Sequence, residues 1–310
     1  MKTIIHLCLL QVFVLCLLVC STYSQQPVPT LLFERTTSIQ PDGIDSVLGK
    51  YSILKVQDET YSTILHRAPS ALSLTIPVSD ERSVIVDIQL SPLWEGSLQI
   101  KTQDGEMHQA PLILCYRGKI RGIEKSVAAL TFSEESIVAV ISDSTGNYVL
   151  SPLKSTSNIG AKKYCIYNDR DLKILQGFSC GTAEPDSSYN AAHTKAQKQK
   201  GNKLQTGACQ IVKVAPECEF EVYQAFGNSL SRTAEYIVSM FNVVGAIYKN
   251  ENINLFIKDE IFIWTTTDPY NIKYNDPGDP NMEATLNQFV DYRDPYSGNI
   301  AYLFRQAPSG

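Results

Sequence analysis

The chain has 310 residues, with 27 Lys and Arg against 32 Asp and Glu, a net charge of −5 and a hydrophobic content of 44%. This apolar content, combined with so small a net charge, excludes a disordered chain. No basic stripe is present, which argues against nucleic acid as a partner, because such binding needs clustered Lys and Arg to neutralise phosphates. At about 150 residues per domain, the length predicts two domains.

Residues 1–24 have the pattern of a secretory signal peptide. A positive start at Lys2 precedes an almost wholly apolar run over residues 4–20, and small residues then flank a cleavage site before Gln25. The competing interpretation is a membrane anchor, which needs about 20 apolar residues and therefore a longer run than this one. We expect a cleaved signal, a secreted product and no stable membrane anchor.

Signal cleavage leaves an odd number of cysteines in the mature chain. The five are Cys115, Cys165, Cys180, Cys209 and Cys218. In an oxidising compartment, one of them is then unpaired or is paired outside the chain. A buried, unreactive thiol is the alternative explanation for the odd count.

Residues 25–182 are predicted to form a β-rich half. Apolar and polar residues alternate from Leu72 to Ile100, which indicates strands with one buried face. The same period continues to Leu150, with turn residues between the apolar segments. The expected fold is an all-β antiparallel sandwich or barrel.

Residues 183–206 lose nearly all apolar side chains and are predicted to be a polar linker. Four lysines concentrate there, namely Lys195, Lys198, Lys200 and Lys203. They either mark the position at which a protease cuts the chain or belong only to a solvated linker.

Residues 207–310 are predicted to begin an α/β domain. A strand at residues 209–215 is followed by a helix that Asn228 or Ser229 can cap, then by one long strand or a strand pair at residues 254–264. A short helix is expected near residues 282–292. The first helix carries one apolar stripe, formed by Leu230, Ala234, Ile237, Phe241, Val244 and Tyr248. Half of an α/β domain is expected to leave this stripe partly uncovered.

Two stretches carry a resemblance to a known family. Cys115-Tyr-Arg-Gly118, Ser126-Val-Ala-Ala-Leu-Thr131 and Tyr148 before Pro152-Leu153 resemble the prodomain of reprolysin/adamalysin-type zinc metalloproteases, which are ADAM/ADAMTS-like. Residues 209–270, with Asn242-Val-Val-Gly-Ala-Ile-Tyr248 and Ile261-Phe-Ile-Trp264, resemble the N-terminal part of the same family's metzincin-like catalytic domain. The resemblance therefore implies a prodomain followed by an incomplete catalytic domain, with a contact between the two.

The chemistry that the resemblance implies needs a motif that this chain lacks. In His-Glu-x-x-His-x-x-Gly-x-x-His, the histidines bind zinc and the glutamate activates the metal-bound water. The four histidines, His6, His66, His108 and His193, are all isolated. The resemblance thus implies that the zinc ligands and the general base lie beyond Gly310.

Two interpretations of function follow. In the first, the chain is the N-terminal part of a secreted zinc metalloendopeptidase zymogen whose full-length form cleaves proteins or peptides. In the second, it is a noncatalytic secreted prodomain-like protein that binds or inhibits a partner. The uncovered helix stripe favours the first, since a free product would expose it.

Cys180 and Gly181 resemble the core of the family's cysteine switch. A thiolate is a soft zinc ligand that displaces the attacking water, so Cys180 is the candidate inhibitory residue. The alternative is a disulfide between Cys180 and Cys165 or Cys209. The remaining disulfide candidates are Cys115, Cys165, Cys209 and Cys218, with Cys165 as a provisional partner of Cys115; their connectivity stays open.

A calcium site is a weaker expectation. The acidic residues of one turn-rich stretch are Asp268, Asp276, Asp279 and Glu283, whose spacing misses the EF-hand pattern. Glu217, Glu219 and Glu221 alternate along a predicted strand. Either they form a solvated face, or Glu219 or Glu221 is a calcium ligand of the kind that the resemblance implies.

Overall fold

The computed structural model describes residues 27–36, 43–153, 163–173, 210–270, 287–292 and 298–305. The expected signal peptide, the whole of the predicted linker, and Cys180, Gly181, Cys209 and His193 lie outside these ranges. No helix in the described part of the chain is both long and apolar enough to cross a membrane.

Within the described residues, the N-terminal part forms a ten-stranded sheet. In spatial order its strands are β1 (Thr30–Leu31), β4 (Ala71–Pro77), β5 (Ser83–Leu90), β8 (Ile113–Ile120), β9 (Val127–Ser133), β10 (Ile137–Asp143), β11 (Gly146–Pro152), β12 (Lys163–Asn168), β3 (Ser52–Val56) and β2 (Phe33–Arg35). The described strand pairs of this sheet are antiparallel except β1 with β4. Helices α1 (Ile44–Val47) and α2 (Asp58–Arg67) connect strands of this sheet, and a 3₁₀ turn (Asp169–Asp171) follows β12.

Alternation of apolar residues produces the buried face of this sheet, as the sequence predicts. In β5, the side chains of Val84, Val86 and Ile88 are buried while the residues between them are more exposed. The aromatic rings of Tyr116 and Phe132 meet edge to face across neighbouring strands, with centroids 5.6 Å apart. Burial of these side chains is the main source of stability for such a sheet.

A second, six-stranded sheet combines strands of the C-terminal part with one hairpin of the N-terminal part. Its strands lie in the order β14 (Ile253–Ile257), β13 (Gln210–Cys218), β15 (Glu260–Ile263), β6 (Gln99–Thr102) and β7 (Met107–Gln109), and β16 (Ile300–Phe304) also pairs with β13. Among the described pairs, β6 with β7 is antiparallel and the others are parallel. The β6–β7 hairpin comes from the predicted β-rich half, yet it extends the sheet of the C-terminal part.

Helix α4 (Leu230–Lys249) follows the short helix α3 (Phe220–Ala225) and lies between the two sheets. Ser229 caps it by accepting a hydrogen bond from the Arg232 amide, as one of the two predicted caps. On one side, the ring of Phe241 meets Tyr302 and Phe304 of β16, with centroids 5.6 Å apart in both pairs. On the other side, α4 packs against β8, β9 and β10.

The expectation of an uncovered helix stripe is therefore wrong. Ala234 and Ile237 are fully buried and Phe241 is nearly so, in a hydrophobic cluster that contains residues of both sheets, with Phe241 packed against Tyr302 and Phe304 of β16. Tyr248, at the end of the stripe, is 45% exposed. The argument from exposed apolar surface consequently does not separate the two interpretations of function.

Gly118 provides a test of the close approach of β8 to β5. A Cβ atom at this position would collide with the backbone of Asp87 and Ile88, which cannot move away as a flexible side chain can. We expect Gly118→Ala to lower the free energy of unfolding by about 3 kcal/mol or more, the size typical of severe overpacking.

Gly49→Ala is the matched control, since its added Cβ would come only within 3.3 Å of the Asp171 carbonyl oxygen. Urea unfolding of the two variants beside the parent chain measures the difference. Equal stability of the Gly118→Ala variant and the parent would contradict the strand pairing.

Candidate functional site

The described histidines do not form a zinc site. His66 is exposed near the end of α2, where its Nδ1 atom lies 2.7 Å from the backbone oxygen of Ser62. His108 lies on β7, with its Nε2 atom 3.5 Å from a carboxylate oxygen of Glu106. His66 therefore lies on a helix of the N-terminal part and His108 on an edge strand of the second sheet, and neither has a second histidine one helical turn away. The described residues therefore do not fit the three-histidine arrangement that the resemblance implies.

An acidic cluster forms at the carboxyl end of β13. Carboxylate oxygens of Glu219, Glu221 and Asp268 lie within 4.8 Å of one another, and Glu219 is buried. The alternation expected for Glu217, Glu219 and Glu221 on one solvated strand face is wrong. The strand ends at Cys218 and α3 begins at Phe220, so the chain turns between these glutamates and carries the first two into the interior.

Each buried glutamate has partners that account for its burial. Glu217 accepts a hydrogen bond of 2.6 Å from Trp264 Nε1 and another from the Tyr270 hydroxyl. Glu219 forms an ion pair with Arg305, with 2.6 Å between Nε and Oε2 and little exposure of either side chain. Buried charges need such partners, because desolvation otherwise makes the charged form costly.

Asp268 joins the loop after β15 to the start of α3. Its two carboxylate oxygens accept 2.8 Å hydrogen bonds from the backbone amides of Phe220 and Tyr270. The contacts of Glu219 and Asp268 thus fasten the loop, α3 and Arg305 to the end of β13. The geometry of the cluster admits a cation, but exposed and partnered carboxylates are common without one. A calcium site here stays a prediction. The other three acidic residues of the predicted loop, Asp276, Asp279 and Glu283, lie outside the described residues.

Three of the disulfide candidates are buried free thiols, namely Cys115, Cys165 and Cys218. The provisional pairing of Cys115 with Cys165 is wrong in this fold. Their strands, β8 and β12, are separated by three others, and the two side chains pack in different hydrophobic clusters. A disulfide requires Cα atoms within about 7 Å.

The same thiols are poor nucleophiles and poor metal ligands. Burial raises the pKa of Cys115 to about 12 and that of Cys165 to about 11. Burial, together with the nearby Glu219 and Glu217, raises the pKa of Cys218 further. Because the thiolate is the reactive form and these thiols stay protonated, we interpret the three residues as structural. The switch candidates Cys180 and Gly181 lie outside the described residues.

The most specific polar contact in the described structure joins α4 to the N-terminal sheet. Asn242 is fully buried, and its Nδ2 atom donates to the Leu130 carbonyl oxygen and to Thr131 Oγ1, both at 3.0 Å. Its Oδ1 atom accepts a 2.9 Å hydrogen bond from Arg117 Nε. A single amide side chain therefore binds β8 and β9 at once.

Gly245, one turn after Asn242, makes room for the Arg117 side chain. A Cβ atom at this position would collide with the guanidinium group, so the absence of a side chain forms a notch in the helix. We call Arg117, Asn242 and Gly245 the latch. Sequence reasoning missed it, although two of its residues stand in the Asn242–Tyr248 stretch that carries the family resemblance.

Comparison with known families assigns the C-terminal part of the chain. The family model Reprolysin_5, described as metallo-peptidase family M12, matches residues 205–310. No curated protein matches the chain. The match includes β13 to β16 and α4, and it confirms the resemblance predicted for residues 209–270. Residues 27–173 lie outside it, so their assignment as a prodomain stays a prediction.

The latch gives a second test. Asn242→Ala leaves the Leu130 carbonyl, Thr131 and Arg117 without their buried partner, and each unsatisfied group costs about 1–3 kcal/mol. We expect the free energy of unfolding to fall by about 3 kcal/mol, measured by urea denaturation.

Met240→Ala is the control on the same helix, because Met240 is 43% exposed and lies away from the latch. Its effect is expected to stay within about 0.5 kcal/mol. Similar losses in both variants would show that the amide network has no special role.

Proposed function

We propose that the chain, whose residues 205–310 (the M12 segment) match the model of metallo-peptidase family M12, is the N-terminal part of a secreted zinc metalloendopeptidase zymogen. In this proposal residues 25–182 are the prodomain and residues 183–206 the linker cut during maturation. The observation that carries it is the position of α4, the long helix of the M12 segment, between its own sheet and the N-terminal sheet.

The shared sheet supports the same proposal. Strand β6 pairs in parallel with β15 of the M12 segment, from Glu260 beside Gln99 to Ile263 beside Thr102. The edge of β15 is thereby covered by the N-terminal part, which removes an open row of backbone donors and acceptors. A prodomain that covers both a helix face and a strand edge of the peptidase segment is suited to hold that segment in the precursor.

Hydrolysis itself is assigned to residues outside this chain. M12 metallopeptidases generally use zinc, which activates the water that attacks the peptide bond. The described histidines, His66 and His108, are too far apart in the fold to hold that ion together. In the proposal the described residues position the peptidase segment, and Cys180 with Gly181 supplies a thiolate directed at the zinc of the complete enzyme.

A noncatalytic secreted protein that binds or inhibits a partner is the second candidate function. The observation that favours it is the absence of a zinc-binding arrangement among the described histidines. Sequencing the native transcript past codon 310 separates the two. An open frame that reaches His-Glu-x-x-His-x-x-Gly-x-x-His supports the zymogen, whereas an immediate stop codon supports the noncatalytic product.

The prodomain role has its own test. Residues 195–203 are replaced by the recognition sequence of a site-specific protease, and the purified chain is cut there. The two pieces are expected to elute together from a size-exclusion column, because the latch and the β6–β15 pairing do not need the linker.

Cutting the Cys180→Ala variant is the matched control, since the proposal gives this thiol a role only at the zinc of the complete enzyme. It is expected to elute as the parent does, whereas the Asn242→Ala variant separates more readily on dilution. Separation of the parent pieces in native buffer would contradict a prodomain that holds the peptidase segment.

A further inference from the structure

A cavity of about 370 Å³ opens where the N-terminal sheet meets the C-terminal end of α4 and the strand that follows it. It is lined by residues of β5, β8 and β9 on one side and of α4 and β14 on the other. Its volume is within the range of small-molecule sites, about 300–1,000 Å³. It lies beside the latch, since Arg117 belongs to both.

The lining of this cavity is cationic. It contains Arg117, Lys119 and Lys249, and none of the described residues that line it is Asp or Glu. Arg117 and Lys119 are two residues apart on β8, so their side chains extend from the same face of the sheet. The last residue of α4, Lys249, comes from the opposite side of the cavity.

Among the described residues that line the cavity, Arg117 has a buried donor atom without a hydrogen-bond partner. Its Nε atom donates to Asn242, but its Nη2 atom is buried and has no hydrogen-bond partner among the described residues. Burial also lowers the pKa of this guanidinium, which shows that its charge is desolvated. A buried donor without an acceptor costs free energy, and more so when it is charged.

The carboxyl end of α4 accounts for the position of Lys249 in this cavity. The carboxyl end of a helix carries a partial negative charge, which favours nearby cations such as Lys249. The ammonium of Lys249 also donates to Asn254 Oδ1 at 2.8 Å. Neither contact supplies an acceptor for Nη2 of Arg117, and neither places a full negative charge among the three cations.

We propose that this cavity binds a small oxyanion, phosphate or sulfate, held by the cationic side chains of Arg117, Lys119 and Lys249 that line it. Arginine and lysine bind such oxyanions through charge-assisted hydrogen bonds. The two lysines are exposed, so the ligand has a path from solvent. An anion in this position contacts both β8 and α4, and therefore stabilises the junction between the N-terminal part and the M12 segment without any dependence on peptidase activity.

The test uses isothermal titration of the whole chain with inorganic sulfate and, separately, inorganic phosphate, at an ionic strength held constant with chloride. The parent is expected to bind one equivalent of oxyanion saturably. The Lys119→Gln/Lys249→Gln variant is expected to bind at least about tenfold more weakly, since charge-assisted hydrogen bonds are lost. These substitutions are at exposed positions, so the fold is expected to persist, and circular dichroism checks this.

The control removes two charges elsewhere. Lys55→Gln/Arg67→Gln changes exposed residues of β3 and α2 that do not line the cavity, and it is expected to bind as the parent does. Arg117→Lys keeps the charge but not the geometry of the donor, and is expected to weaken binding without removing it. Absence of saturable binding to the parent, or equal binding by the two double variants, would overturn the proposal.

Discussion

The buried amide of Asn242 is the interaction on which the arrangement of the two sheets depends. It lies in the middle of α4, accepts from Arg117 and donates to the backbone and a side chain of β9. A polar group at this depth is tolerated only in one register of helix against sheet, because any shift leaves several groups unsatisfied. Burial of apolar surface drives the packing of α4 against the N-terminal sheet, and the hydrogen bonds of Asn242 fix the register between them.

The fixed position of α4 against the N-terminal sheet also accounts for the notch at Gly245 and for the pairing of the β6–β7 hairpin with the second sheet. With α4 fixed, the guanidinium of Arg117 needs space that only glycine leaves. With the second sheet held on the far face of α4, its β15 edge comes within pairing distance of residues 99–102. The hydrophobic cluster between the sheets accordingly takes Ile100 and Cys115 from the N-terminal part and Phe241 from α4.

Local patterns in the sequence predicted the local structure. The alternation in Leu72–Leu90, the Ser229 cap and the stripe of α4 all correspond to observed elements, since each depends on neighbours a few residues apart. The contact of Arg117 with Asn242 joins residues 125 positions apart, and no short pattern encodes it. For the same reason the burial of Glu217 and Glu219 was missed: their partners, Trp264, Tyr270 and Arg305, are remote in the chain.

The contacts of the cysteine, carboxylate and histidine side chains agree with the packing of the two parts of the chain. The described cysteines are buried, the carboxylates of Glu217, Glu219 and Asp268 accept hydrogen bonds or form an ion pair, and the described histidines lie far from one another in the fold. Residues 205–310, which match the M12 family model, present a helix and a strand edge that the N-terminal part covers. We therefore expect the N-terminal sheet and residues 210–305 to unfold as one cooperative unit.

Native-state amide hydrogen exchange tests that claim most directly. The account predicts that the amides of α4 and of β15 exchange with the same opening free energy as the central strands β8 and β9, close to the free energy of global unfolding. Exchange of α4 and β15 at a free energy several kcal/mol lower, with the N-terminal sheet still protected, would contradict it and show that the M12 segment opens independently.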